Sequence, residues 1–188
     1  MAVRDERGQV HRDGPAVVAV VGRSGSGKTD LVCAAVRHLV ERGVRVGTVK
    51  HAPKLERVDR QGSDSARHVD AGASKCLLVG AGDAALFWRH EGTGGPDLVE
   101  AVGRTFADVE IVLVEGWKGG PFPKIEVYRR AASWREGPLA GELDVLAVIT
   151  DDPVAVPDGV AVLPAGDIER IVDFLEDVAQ GGELRGST

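Results

Sequence analysis

The sequence predicts an α/β protein with three layers, a mostly parallel sheet and some antiparallel strands. Valine-rich apolar runs of strand length recur along the chain, and segments with helical spacing of apolar residues alternate with them. A glycine-rich loop joins the first such strand to the first such helix. Alternation of this kind builds a parallel sheet, because each crossover helix returns the chain to the same end of the sheet.

The elements follow in order. Ala16–Val21 reads AVVAVV, a continuous apolar run suited to a strand covered on both faces. A helix over 29–42 lines up Val32, Ala35, Val36, Leu39 and Val40, and Gly43 stands where a C-cap belongs. A strand is expected over 45–49, then a short helix over 63–71 stopped by Gly72. Residues 76–79 and 84–89 read as strands joined by a turn at Gly82 and Asp83. Pro96 suits the first position of a helix running to Phe106. Strands are expected over 110–114, 124–128 and 145–149. Asp167 is placed to cap a last helix whose apolar face is Ile168, Ile171, Val172 and Leu175. One domain is expected over 15–178, with flexible tails at 1–14 and 179–188.

Composition narrows the function. The 188 residues suffice for one domain with a sizeable core. A net charge of −6 argues against nucleic acid or an anionic membrane as partner. No apolar run reaches the roughly 18 residues of a membrane helix. The polar segment 1–14 lacks the apolar stretch of a signal peptide, so a cytoplasmic location is expected. Cys33 and Cys76 lie in apolar segments and read as buried, reduced thiols.

The strongest motif follows the first strand. Gly22, Arg23, Ser24, Gly25, Ser26, Gly27, Lys28 and Thr29 match G-x-x-x-x-G-K-[ST] in full, the pattern of a P-loop NTPase-like domain. Its glycines let backbone N–H groups converge on phosphate oxygens, Lys28 adds charge at the outer phosphates, and Thr29 offers a hydroxyl to Mg²⁺. Residues 111–114 are apolar and end in Glu115 and Gly116, as in a Walker B strand. An acid there can hold a water on Mg²⁺ or orient the attacking water, and Gly116 lets the backbone approach the γ-phosphate. A strand-end solubilising charge is the plainer alternative.

Lysines are scarce, six against 17 arginines. Lys28, Lys50, Lys54, Lys118 and Lys124 fall in or beside the loop and the segments after two strands, where open α/β sheets bind ligands. That clustering suggests a polyanionic ligand; scattered surface lysines are the alternative. Lys50, His51, Lys118 and Lys124 would then line a basic crevice beside the γ-phosphate. His11, His38, His68 and His90 lack metal-ligand spacing and read as surface residues. Trp88, Trp117 and Trp134 read as packing anchors. Thr150, Asp151 and Asp152 follow a late strand, where a carboxylate can accept from guanine's ring N–H and amino group. Arg23 is either exposed and idle or reaches the nucleotide of a second copy.

Seven stretches in order resemble the molybdopterin-guanine dinucleotide biosynthesis protein B family. They are VVGRSGSGKT at 20–29, GTVKHAP at 47–53, D-x-x-G-x-DS at 59–65, DAGAS at 70–74, LVEGWK at 113–118, PKIEVYR at 123–129 and AVITDDP at 147–153. The resemblance implies a GTP-binding accessory protein with weak Mg²⁺-dependent GTPase activity. It implies service to an enzyme that couples a guanine nucleotide to molybdopterin, and a homodimeric state. The partner would be molybdopterin itself or its guanylyltransferase. The site residues expected from these motifs are Gly22 to Thr29, Lys50, His51, Gly116, Lys118 and Asp152 for the nucleotide, Thr29 and Glu115 for the metal, and Lys28 and Glu115 for turnover. Two departures stand out. Ala52, Pro53 and Lys54 replace the family's usual further histidines, and Gly62-Ser63-Asp64-Ser65 replaces its common Gly-Lys-Asp-Ser.

A competing reading is a small-molecule kinase or ATP-dependent ligase of the dethiobiotin-synthetase-like group, which shares the Val-Glu-Gly element. Its G-T-D-T-like start is absent from Gly22-Arg23-Ser24-Gly25, and no arginine-rich lid follows.

Overall fold

A computed structural model describes residues 3–4, 10–11, 14–89, 96–133 and 136–181. The chain divides into two compact units, Met1–His51 with Val102–Thr188, and Ala52–Ala101. Two short strands, β1 (Val3–Arg4) and β2 (Val10–His11), pair antiparallel. The elements β3 (Ala16–Val21), α1 (Lys28–Glu41) and β4 (Val46–Lys50) follow. In the smaller unit come α2 (Asp64–Asp70), β5 (Lys75–Val79) and β6 (Ala84–Trp88). Helix α3 (Pro96–Thr105) precedes β7 (Ile111–Glu115), β8 (Lys124–Val127) and α4 (Arg130–Ser133). A 3₁₀ turn (Leu139–Gly141), β9 (Ala147–Ile149), β10 (Ala161–Leu163) and α5 (Ile168–Gln180) complete the chain.

The architecture is three-layer α/β. The sheet of the larger unit has the order β10-β9-β8-β3-β7-β4, and each of its strand pairs is parallel. The expected antiparallel strands form the two small pairs β1–β2 and β5–β6. Strands β3 and β7 run through the sheet's middle, which is why AVVAVV and IVLVE carry almost no polar residue before the acid. Val18, Val20, Ile111, Leu113, Ile125, Val127 and Ile149 point to one face, where Leu31, Ala35 and Leu39 of α1 and Ile171, Val172 and Leu175 of α5 cover them. Asp167 caps α5 as expected, accepting from Arg170 N at 3.2 Å.

Glu126 in β8 is fully buried and accepts from the backbone N–H groups of Leu139 and Ala140 at 2.7 and 2.9 Å. It caps the 3₁₀ turn that covers that side of the sheet. Gly47 lies flat under Phe106, whose Cδ1 would sit 2.4 Å from a Cβ there.

Several expectations need correction. The thiols are free but not buried: Cys33 is exposed and Cys76 half-buried. Helix α1 buries Leu31, Val32, Ala35 and Leu39, and the helical turn carries position 33 round to the outside. β10 escapes sequence reading because it is a three-residue edge strand, too short to show a period. The turn at 139–141 and α4 are likewise too short. Most of the expected tails, together with His90 and Trp134, lies outside the described residues. Among the described residues no helix is long and apolar enough to cross a membrane.

Candidate functional site

The site is built where β3 meets α1. The chain leaves Val21 and turns at Gly22 (φ 153°), Gly25 (φ 77°) and Gly27 (φ 95°), a path that side chains oppose. At Gly22 there is also no room: a Cβ would lie 2.5 Å from the Val127 carbonyl oxygen and 2.6 Å from Ser26 Oγ. Gly27 is the N-cap of α1 and offers no side chain to its first turn. The helix therefore presents uncapped N–H groups at the positive end of its dipole. Ser26 Oγ is buried and without a hydrogen-bond partner among the described residues. An uncapped helix start and an orphaned hydroxyl in one loop fit a bound phosphate group.

Lys28 folds back over the loop and donates to the Arg23 carbonyl at 2.7 Å. Burial holds its ammonium below the ordinary 10.5; the Glu115 carboxylate opposes this shift, while Lys118 and Lys50 add to it. Two of the cations expected near the loop, Lys118 and Lys50, are thus close enough to Lys28 to be felt.

Glu115 closes β7 beside β3, and β4 sets Lys50 directly opposite it. Its Oε1 accepts from Thr29 Oγ1 at 2.9 Å and from Lys50 Nζ. One hydroxyl and one carboxylate oxygen, adjacent beside the loop, are hard oxygen donors of the kind that suits Mg²⁺. Gly116 (φ 91°) turns the chain away, with His51 O only 3.1 Å from where a Cβ would stand. Trp117 follows at φ 53°, unusual for a bulky residue. Its ring is buried as expected, stacked on His51 at 5.3 Å and met edge-on by Phe122 at 5.4 Å. His51 therefore packs against the turn that directs Lys118 outward.

The other candidates have these positions and partners. Lys124 opens β8 opposite Ala19 and donates to the Phe122 carbonyl at 3.0 Å, so it stands at the strand's amino end. Lys54 lies in the smaller unit. Asp152 accepts through Oδ2 from Arg130 N at 2.7 Å, and Asp151 from Ala165 N at 2.9 Å. Arg23 is not idle: it donates to Glu142 at 3.1 Å and to the Gly137 carbonyl at 3.4 Å, and pairs with Glu136. One residue escaped sequence reasoning. Arg129, the end of PKIEVYR, brings Nη2 within 3.3 Å of the place a Cβ would take on Gly27. The sequence signals were its position just past an expected strand and its place at the end of the PKIEVYR stretch.

The family model for molybdopterin guanine dinucleotide synthesis protein B, MobB, matches residues 17–151. The chain belongs to the MobB family. That match spans the loop, Lys50, His51, Glu115, Lys118 and Arg129, and stops one residue short of Asp152. The molybdopterin-guanine dinucleotide biosynthesis adapter protein of Haemophilus influenzae is 35% identical over 164 residues, 86% of this chain and 88% of its own. The adapter protein of the same name from Escherichia coli is 31% identical over 165 residues, 87% and 93% of the two chains. The crystal structure of a MobB homologue from Bacillus stearothermophilus superposes with a TM-score of 0.59 at 27% identity, covering 88% of this chain and 98% of that one.

Proposed function

We propose that this chain is a GTP-binding adapter of molybdopterin-guanine dinucleotide biosynthesis with a weak Mg²⁺-dependent GTPase activity. The observation that carries it is the Thr29–Glu115 pair set beside Lys28 and the uncapped start of α1, in a member of the MobB family. The relatives named as adapter proteins support the biosynthetic role.

In this reading Gly22 to Thr29 wrap the phosphates with backbone N–H groups, and Lys28 leaves the Arg23 carbonyl for a phosphate oxygen. Thr29 and Glu115 would hold Mg²⁺, which neutralises charge on the phosphates when bound. Lys50, which now neutralises Glu115, is then released toward a second anion. Lys50, His51 and Lys118 face molybdopterin or its guanylyltransferase. Asp152 reads guanine with Oδ1, since Oδ2 is taken by Arg130 N. Turnover is slow because Arg23 is committed to Glu136 and Glu142, and Glu115 already serves Thr29 and Lys50. The protein acts in the cytoplasm as a homodimer.

Titration calorimetry with Mg²⁺ and GTP, GDP or ATP tests this. GTP is expected to bind more tightly than ATP, and Lys28→Ala to weaken it roughly 10- to 150-fold, the worth of a charge-assisted hydrogen bond. Unchanged affinity in Lys28→Ala, or no nucleotide binding by the native chain, would reject the reading.

A further inference from the structure

We infer that Arg129 is a second phosphate-binding cation of this site, acting on the phosphates nearest the nucleoside and not on the terminal one. The inference rests on the nucleotide-binding reading above. It starts from the path of β8. This strand pairs with β3 on the flank away from β7, and its Val127 carbonyl presses on Gly22 at the start of the loop. Tyr128, buried, then donates its N–H to the Ile149 carbonyl at 3.0 Å. That bond fixes the backbone just before Arg129. The side chain is directed across the loop to its other end, with Nη2 3.3 Å and Cζ 3.8 Å from the Cβ position of Gly27. The strand exit thus bridges the first and last glycines of the loop.

Among the described residues no hydrogen bond or ion pair is formed by the Arg129 side chain, and it is exposed. Arg23, in the same loop, is by contrast tied to Glu136 and Glu142. A planar fork of donors beside a loop that gathers anions is suited to bridge two phosphate oxygens. Gly27 leaves the space that the guanidinium fills, besides adopting its left-handed φ.

Sheet order gives the division of labour. Glu115 and Lys50 stand on β7 and β4, to one side of β3; Arg129 follows β8, on the other. The metal donors Thr29 and Glu115 mark the side of the terminal phosphate. Arg129 must then meet the chain of phosphates from the opposite flank, where triphosphate and diphosphate look alike.

Calorimetry of the full chain with Mg²⁺–GTP and Mg²⁺–GDP tests this, using R129A, R129Q and R129K. Both R129A and R129Q are expected to lose roughly 10- to 100-fold in affinity for GTP and for GDP alike. R129K should fall between, and thermal unfolding of the nucleotide-free variants should match the native chain. Native affinity in R129A would overturn the inference while leaving the nucleotide site standing. So would a loss confined to GTP, which would put Arg129 at the terminal phosphate. A loss seen only in R129A, with a lowered unfolding temperature and normal binding in R129Q, would assign Arg129 to folding and overturn it too. If the native chain binds no nucleotide, the broader reading fails and this one with it.

Discussion

Lys28 sits where its charge is disfavoured, by burial first and by Lys118 and Lys50 besides, with only Glu115 opposing. An arriving phosphate reverses that balance, since a nearby anion favours the ammonium. Binding therefore raises the pKa of Lys28. Nucleotide affinity is then full at pH below the free protein's lowered value and falls as pH rises through it, earlier than the ordinary 10.5 would allow. Stability of the free protein moves the other way. A lysine lowered in the folded state costs stability below that value, and the cost is relieved as pH climbs to the ordinary one. Calorimetry between pH 7 and 10, in buffers of different ionisation enthalpy, should show proton uptake growing on the alkaline side. A Lys28→Arg variant that still binds should lack it. The loop and Glu115 were legible in the sequence because each is a contiguous pattern whose chemistry depends on its own residues. Arg129 and the partners of Arg23 were not, because they meet the loop from about 100 residues away in sequence. Such meetings depend on which strand lies beside which, and no local pattern carries that.

At the level of elements, strands covered on both faces announced themselves as unbroken apolar runs, and β3, β7 and β9 fall where those runs fall. β8 is different. Its KIEV carries a charged residue in mid-strand, yet Glu126 is among the most deeply buried side chains. The reason is local backbone need: the 3₁₀ turn at Leu139 has its first N–H groups inside the protein, and only a side-chain acceptor reaches them. Glu126→Ala would strand both donors. Each costs about 1–3 kcal/mol when unpaired, and about 1 kcal/mol moves the midpoint roughly 2–4 °C in a chain of this size. Scanning calorimetry should show a fall of at least several degrees. Glu126→Gln, which keeps one acceptor oxygen, should recover part of it. The 3₁₀ turn leads on from Glu136 and Gly137, which hold Arg23, so loosening it should also free Arg23 and leave Lys28 in place.

At the scale of the whole molecule, the sequence misleads most in the smaller unit. KCLLV and AALFW look like buried strands, and the Gly82-Asp83 turn between them is where the hairpin turns. Yet Leu77, Val79 and Leu86 are 62%, 69% and 42% exposed, and Leu78 on the other face is 52% exposed. Apolar runs predict burial without naming what buries them. The hairpin's two strands pair only with each other among the described residues, and Cys76 on the opposite face lies 4.0 Å from His68 of α2. Alternation then puts Leu77, Val79 and Leu86 together on the face that α2 does not take. An isolated two-stranded hairpin is marginal in water and its open edges invite pairing with another chain. Under the homodimer proposed above, a second copy would cover this face. Leu77 and Leu86 are direct cross-strand partners. Leu77→Glu combined with Leu86→Lys therefore replaces apolar surface with an opposite-charge pair that keeps the hairpin intact. Sedimentation analysis should show the native chain as a dimer and the double variant as a monomer, with calorimetric GTP affinity unchanged because the phosphate loop belongs to the other unit. A double variant that stays dimeric at low micromolar concentration would move the interface elsewhere.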